Sequence, residues 1–182
     1  MTRQRIILTL SALLWVGISA ALIFGVEQSS ERKFDAEDKL FYGSTSWDFD
    51  ATINQSVNAL LKSEGMSLNA AYTIHITDSN CICQYTAKAH KKDVVASSEL
   101  KDSTNIEISF DTLPDDMKRL IASTPAVITT RKDGQVAYLG PYGTGLGCLP
   151  SASTVSPYIG SEGVKGMGVA IPFDATGCYC NK

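Results

Sequence analysis

The chain has 182 residues, a net charge of −3 and five cysteines. This length accommodates one ordinary domain with an appendage. The slightly acidic balance, without a stripe of Lys and Arg, excludes nucleic acid as an expected partner. Five cysteines suit an oxidising compartment, where disulfides persist, and an odd number leaves at least one cysteine over.

The first predicted element is an N-terminal transmembrane anchor, residues 1–26. Residues 6–26 carry no charge, and as a helix they would extend about 31 Å, close to the roughly 30 Å of a bilayer core. Arg3 and Arg5 precede them, so the positive-inside rule places the N-terminus in the cytoplasm. A signal peptide cleaved near residue 21 is the alternative. We expect a single-pass protein of the cytoplasmic (inner) membrane, with its C-terminal domain in the periplasm or outside.

The remaining chain is predicted to be a polar linker, residues 27–45, followed by one domain, residues 46–182. Hydrophobic periodicity and turn residues predict a helix, a strand, a cysteine-containing helix, a strand, a short helix and a hairpin. These elements cover residues 50–63, 71–77, 81–95, 105–110, about 114–119, 125–131 and 135–140. The Gly-rich stretch after residue 140 is predicted to form loops around one weak helix.

The element order resembles the thioredoxin fold over residues 50–142. A cysteine pair opens the helix after the first central strand, and Thr124-Pro125 opens the strand before the hairpin. The sequences TDSNCICQYTAKAH and TPAVITTRKDGQVAYLGPYGTGLGC, with a terminal GCYC, are similar to a bacterial family of membrane-anchored thioredoxin-like proteins of unknown function. This resemblance implies an α/β domain whose central mixed sheet is flanked by helices. It also implies a cis Thr124-Pro125 bond facing the cysteines and a substrate-binding backbone at Thr124.

Cys81 and Cys83 are the candidate catalytic residues. Their Cys-x-Cys spacing departs from the Cys-x-x-Cys of thioredoxins. A cysteine at a helix N-terminus has its thiolate favoured by unpaired backbone N–H groups, so we expect Cys81 to attack and Cys83 to resolve. A bridge between these two residues would be tight and therefore oxidising. Structural bridges to other cysteines, or persistently reduced thiols, are the alternatives.

Two histidines accompany the cysteines. His75, on the predicted central strand six residues before Cys81, is a candidate catalytic residue for proton transfer to the cysteines. The alternative is a histidine that is hydrogen-bonded within the core. His90, near the end of the predicted helix, is expected to be solvated or stabilised by the helix dipole.

The three tail cysteines, Cys148, Cys178 and Cys180, are candidates for structural disulfides. A bridge from Cys148 to either of the others would pin the tail. The remaining tail cysteine is then an alternative resolving residue for Cys81 or Cys83. Thiolates from both Cys-x-Cys motifs could hold Cu(I) or Zn. Structural zinc sites, however, usually have two to four residues between paired cysteines, and these motifs have only one. We therefore predict no metal site.

These patterns together predict a membrane-tethered protein that exchanges thiols and disulfides with exported proteins and needs no cofactor. Cys81 and Cys83 would carry the exchange and Thr124-Pro125 would bind the substrate. A Cu- or Zn-handling protein is the first alternative. A non-catalytic interaction module with structural disulfides is the second, because a fold does not establish an activity.

Overall fold

The computed structural model of the protein describes residues 2–30, 32–145, 153–160 and 168–182. The chain divides into two compact units, Met1–Glu31 and Arg32–Lys182. The first unit consists of helix α1, Thr2–Ser30. Among the described residues, no helix is both long enough and apolar enough to cross a membrane, so the predicted anchor is not confirmed.

The second unit is a mixed α/β domain in which short helices and strands alternate. Its elements are β1 (Arg32–Lys33), α2 (Lys39–Gly43), α3 (Phe49–Ser63), β2 (Ala71–Thr77), α4 (Cys83–Thr86), α5 (Lys88–Leu100), β3 (Ser103–Ser109), α6 (Asp115–Leu120), β4 (Ser123–Thr124), β5 (Ala126–Thr130), β6 (Val136–Gly140), β7 (Thr176–Gly177) and β8 (Cys180–Asn181). Single 3₁₀ turns occupy Phe110–Thr112 and Ser156–Tyr158.

A four-stranded sheet in the order β3-β2-β5-β6 forms the centre of this domain. Strand β2 runs parallel to β3, and β5 runs antiparallel to both β2 and β6. Asp133 and Gly134 form the turn between β5 and β6, where Gly134 has a φ of 76°, a conformation that costs glycine little. Two short antiparallel pairs, β1-β7 and β4-β8, lie outside the main sheet.

The apolar core lies on both faces of the central sheet. Alternation along β5 sends Ile128 to one face and Val127 to the other. The first face packs against α3 and α6, with Ile53, Val57 and Met117 among its buried residues. The second face packs against α5 through Val94 and against the later residues Val155 and Ile159. Helices therefore cover both faces of the sheet, as the sequence predicts.

Residues 32–45 contribute to the domain, although their polar composition suggested a linker. Phe34 is fully buried and Leu40 is 1% exposed, and both belong to the main core. Strand β1 also pairs with β7, with Arg32 opposite Gly177. A few apolar side chains embedded in a charged segment are enough to dock it, and the composition of the segment does not reveal them.

The predicted cysteine-containing helix is divided into α4 and α5, and it begins later than expected. Cys83 is the first residue of α4, so Cys81 lies two residues before the helix. Ala87 ends α4 and precedes α5, and the Thr86 hydroxyl donates to the Cys83 carbonyl at 2.8 Å. The prediction that Cys81 occupies the first turn of one long helix is therefore wrong.

Candidate functional site

All four cysteines that the structure describes lie in two neighbouring disulfides. Cys81 is bonded to Cys180 and Cys83 to Cys178, with Cα–Cα distances of 5.9 Å and 5.4 Å. The structure therefore does not join Cys81 to Cys83, and neither Cys178 nor Cys180 is bridged to Cys148. Cys148 itself lies outside the described residues. The tail is pinned as predicted, but through the Cys-x-Cys motif.

The turn after β2 brings Cys81 and Cys83 to the end of the central strand. Asp78 directs this turn, because its carboxylate accepts the Asn80 N–H at 2.9 Å and its carbonyl accepts the Cys81 N–H at 3.1 Å. An Asp whose side chain accepts the backbone N–H two residues later is a common turn former. Cys81 and Cys83 are consequently buried, with 1% and 5% of their surface exposed.

The tail reaches these cysteines as a strand paired with β4. Cys180 lies opposite Thr124 and Asn181 opposite Ser123 in an antiparallel register. The Lys182 N–H extends the pairing by donating to the Ala122 carbonyl at 2.9 Å. Upstream, the buried Tyr179 hydroxyl donates to the Gly143 carbonyl at 2.6 Å. Hydrogen bonds and the disulfides together therefore hold this segment.

The Thr124-Pro125 peptide bond is cis and lies beside Cys81, as the resemblance implied. The Cys81 Sγ is 3.4 Å from the Thr124 carbonyl oxygen. Thr124 is fully buried, and its backbone faces the tail strand. The predicted substrate-binding backbone is thus next to Cys81, with residues of the same chain paired to it.

Three sulfur atoms, those of Cys81, Cys83 and Cys180, lie within 4.8 Å of one another. Cys178 and Cys180 are half-buried, whereas the Ile82 and Tyr85 side chains beside the cysteines are 77% and 78% exposed. Sulfurs this close allow a thiolate freed from one disulfide to attack the other. The same thiolates, once reduced, form the soft donor set that Cu(I) and Zn prefer.

A buried ion pair lies beneath the tail strand. The Lys182 ammonium bonds the Asp78 carboxylate, whose side chain is only 1% exposed, and the Thr124 hydroxyl donates to the same carboxylate at 3.1 Å. Burial alone would raise the pKa of Asp78, but the bonds from Lys182, the Asn80 N–H and Thr124 outweigh it, and the pKa is lowered. Asp78 is therefore ionised and satisfied at neutral pH.

His75 is hydrogen-bonded on both sides of its ring within the core. Its Nδ1 lies 2.7 Å from the Tyr142 hydroxyl and its Nε2 lies 3.0 Å from Asn105 Oδ1. Burial lowers the pKa of His75 and raises that of Tyr142, so both groups are neutral. In this state the Tyr142 hydroxyl donates a hydrogen bond to Nδ1 of the neutral imidazole. Neither ring nitrogen bonds a cysteine in this arrangement. Its proton-transfer role stays a prediction.

His90 is buried, contrary to the expectation of a solvated side chain. It is 1% exposed, and burial lowers its pKa. Helix α5 starts at Lys88, so His90 lies in the first turn, where the helix dipole disfavours a positive charge, and not near the end of the helix. An error in the predicted start of a helix therefore changes what is expected of every residue within it.

Sequence reasoning missed Asp78 and Lys182 as members of the site. Asp78 follows a buried strand directly and Lys182 lies two residues after a cysteine. Each residue has an ordinary surface-type side chain, and only the pairing of the tail with β4 brings them together. The sequence did contain one signal for Asp78. An acidic residue between a buried strand and a Cys-x-Cys motif is well placed to contact a segment that pairs beside the cysteines.

One family model, described as "Domain of unknown function (DUF6436)", matches residues 47–182, which is more than half of the chain. The chain belongs to the DUF6436 family. The region of the DUF6436 match contains the complete site, from Asp78 and the Cys-x-Cys motif to the tail cysteines. The description of the family does not mention thioredoxin, so the match does not confirm the resemblance to thioredoxin-like proteins. No curated protein and no solved structure matches this DUF6436 chain.

Proposed function

We propose that this DUF6436 domain is a thioredoxin-like protein that exchanges thiols and disulfides with exported proteins outside the cytoplasm. The observation that carries the proposal is the Cys81–Cys180 disulfide lying against the backbone of Thr124, with the Cys81 Sγ 3.4 Å from the Thr124 carbonyl oxygen. A mixed four-stranded sheet with helices on both faces supports the thioredoxin-like assignment. The two exposed apolar side chains, Ile82 and Tyr85, would add contact area for a protein partner.

The exchange begins from the reduced protein, with the Cys81 thiolate as nucleophile. Cys81 attacks one sulfur of a partner disulfide, which forms a Cys81–partner bond and releases the other partner sulfur as a thiolate. The Cys180 thiolate then attacks the Cys81 sulfur, which restores Cys81–Cys180 and releases the second partner thiolate. Two electrons pass from the protein dithiol to the partner, and the two thiol protons end on the partner thiols. A partner dithiol drives the same steps in reverse.

Cys83 and Cys178 form a second redox couple next to the first. With both disulfides formed, the Cys83 sulfur lies within 4.8 Å of the sulfurs of Cys81 and Cys180, and reduction of Cys83–Cys178 would free it as a thiolate. Its thiolate can therefore attack the Cys81–Cys180 bond and form a disulfide with either sulfur, releasing the other as a thiolate. Cys83 keeps a resolving role in this scheme, now shared with Cys180.

The exchange activity is testable with the reduced full-length protein and an insulin disulfide as substrate. We expect the wild-type protein to reduce insulin and to accumulate Cys81–Cys180. Cys81→Ala should lower the rate to that of the uncatalysed reaction because the attacking sulfur is gone. Cys148→Ser is the matched control and should retain the wild-type rate.

Two other outcomes would favour the alternatives. Reduced protein that transfers no electrons but binds one Cu(I) or Zn²⁺ per chain would support metal handling by the cluster of Cys81, Cys83 and Cys180. Protein that shows neither exchange nor metal binding would support a non-catalytic module whose disulfides only stabilise the fold.

The two disulfides support the proposal of an extracytoplasmic location, because bridges of this kind persist in oxidising compartments. Attachment to the membrane through residues 6–26 stays a sequence prediction. A phosphatase reporter that needs its own disulfides, fused after Lys182, should be active in cells. An inactive reporter on a stable fusion would place the domain in the cytoplasm and contradict the proposal.

A further inference from the structure

The tail strand occupies the position that a partner peptide would need in order to reach Cys81. Cys180 lies opposite Thr124 and is bonded to Cys81, so the segment Cys180-Asn181-Lys182 is arranged like a peptide caught in a mixed disulfide. Main-chain pairing at a strand edge is indifferent to side chains, and selectivity comes from the pockets that receive them. What the tail places in a pocket therefore indicates what a partner should place there.

The pocket next to this strand receives a cation two residues after the cysteine. The Lys182 ammonium bonds the Asp78 carboxylate and lies 4.8 Å from the centre of the Phe110 ring. The Asp78 carboxylate also accepts the Asn80 N–H at 2.9 Å on one oxygen, and the Thr124 hydroxyl at 3.1 Å on the oxygen that Lys182 bonds. A preformed, buried anion beside an aromatic ring is suited to a Lys or Arg side chain.

The surface around Lys182 carries charges of both signs. One neighbouring cleft is lined by Lys39, Lys118 and Arg119 with Asp115, and another by Asp35 and Glu37 with Lys39. Asp78 differs from these acidic residues because its carboxylate bonds the Lys182 ammonium directly. Asp78 is also buried, so its attraction is screened less by solvent than that of an exposed carboxylate such as Asp115.

We infer that Asp78 is the specificity-determining residue of this site and that it selects extended segments of the type Cys-x-Lys or Cys-x-Arg. This inference rests on the proposed function, and it adds the class of partner. The tail is the resident occupant of the site. A partner segment pairs with β4 and bonds Cys81 when the tail is displaced, and Cys180 displaces the partner when it re-forms the Cys81–Cys180 disulfide.

The test uses the full chain with Cys148→Ser, Cys180→Ser and Lys182→Met, which leaves Cys83–Cys178 in place and frees both Cys81 and the Asp78 pocket. The probes are pentapeptides Ala-Cys-Asn-X-Ala whose cysteine is activated as a thiopyridyl disulfide. Cys81 attacks the peptide sulfur and releases thiopyridone, whose absorbance gives the rate. Peptide mapping locates the label on Cys81.

Peptides with Lys or Arg at X should react about tenfold faster than the peptide with Met, because they supply the missing charge-assisted bond. The Glu peptide should be the slowest. Adding Asp78→Asn should equalise the Lys and Met rates, whereas the matched control Asp115→Asn should leave the preference intact. A variant that retains Lys182 should show the same order with a smaller ratio, because Lys182 competes for the pocket, and it provides the test if Lys182→Met fails to fold.

The outcomes separate the two proposals. Equal rates for all peptides at Cys81, or a Lys preference that survives Asp78→Asn, would overturn the inference and leave the exchange activity standing. Labelling of Cys81 in the urea-unfolded protein but by no peptide in the folded protein would overturn the proposed function itself.

Discussion

Removing both disulfides should destabilise the domain by more than the sum of the two separate removals. The disulfides are nested, since Cys81–Cys180 spans 99 residues and Cys83–Cys178 spans 95. Closing the first loop, of about 100 residues, contributes about 4.7 kcal/mol, whereas the second then closes a ring of only a few residues and contributes about 2 kcal/mol. When one disulfide is removed, the other therefore still closes the long loop and keeps most of the stabilisation that the two provide together.

Urea unfolding of three paired Cys→Ala variants, in a Cys148→Ser background, measures this coupling. Loss of either disulfide alone should lower the free energy of unfolding by about 2 kcal/mol, and loss of both by about 7 kcal/mol. Alanine is the suitable replacement because serine would bury new hydroxyl groups at Cys81 and Cys83. Additive losses would mean that the two bridges stabilise the domain through independent local contacts.

Replacing Lys182 by Met should both destabilise the oxidised domain and reverse its response to acid. The substitution keeps the apolar stem but leaves the Asp78 carboxylate buried without its cation, which costs about 3 kcal/mol at neutral pH. In the wild type the folded-state pKa of Asp78 is lowered. The stability it contributes is therefore present above the unfolded pKa of about 3.9 and is lost as the pH falls through the folded pKa.

In Lys182→Met the burial of Asp78 should dominate and raise its folded-state pKa. The variant should then gain stability as the pH falls from the raised pKa toward about 3.9, because protonation removes the unpaired charge. Thermal unfolding from pH 7 to about pH 2 covers both the gain of the variant above about pH 3.9 and the loss of the wild type below it. The double variant Asp78→Asn with Lys182→Met should lose the gain, and the exposed control Lys132→Met should change stability by less than about 0.5 kcal/mol. Identical pH slopes for the wild type and Lys182→Met would show that Lys182 does not control Asp78.

The central sheet was predictable from the sequence because its strands carry strong local signals. Residues 71–77 are rich in β-branched and aromatic side chains, and β2 covers the same residues. The hairpin was equally clear, since Asp133-Gly134 is a turn signal between two apolar runs. The cis Thr124-Pro125 bond came from the resemblance, because only a minority of X–Pro bonds are cis.

The site was predictable in its position but not in its connections. The pairing of β4 with β8 involves two residues on each strand, which is too short for any periodic pattern. Any four cysteines allow three pairings and the fifth multiplies the choices, so spacing alone does not select the two disulfides. The docking of Phe34 and the burial of Asp78 depend in the same way on long-range contacts. Local patterns pointed to Cys81 and Cys83, and tertiary contacts decided which cysteines they are bonded to.

The long separation within each disulfide has a consequence for the biosynthesis of the protein. Cys81 and Cys83 are translated well before Cys178 and Cys180, and at about 5–20 residues per second the interval is on the order of 5–20 s. Throughout this interval the cysteine nearest to Cys81 is Cys83, so early oxidation would join the wrong pair. The native bonds can form only after the last strand has been made and has reached β4. A bridge formed early between Cys81 and Cys83 would therefore have to be opened by the thiolate of Cys178 or Cys180 before the native bonds could form.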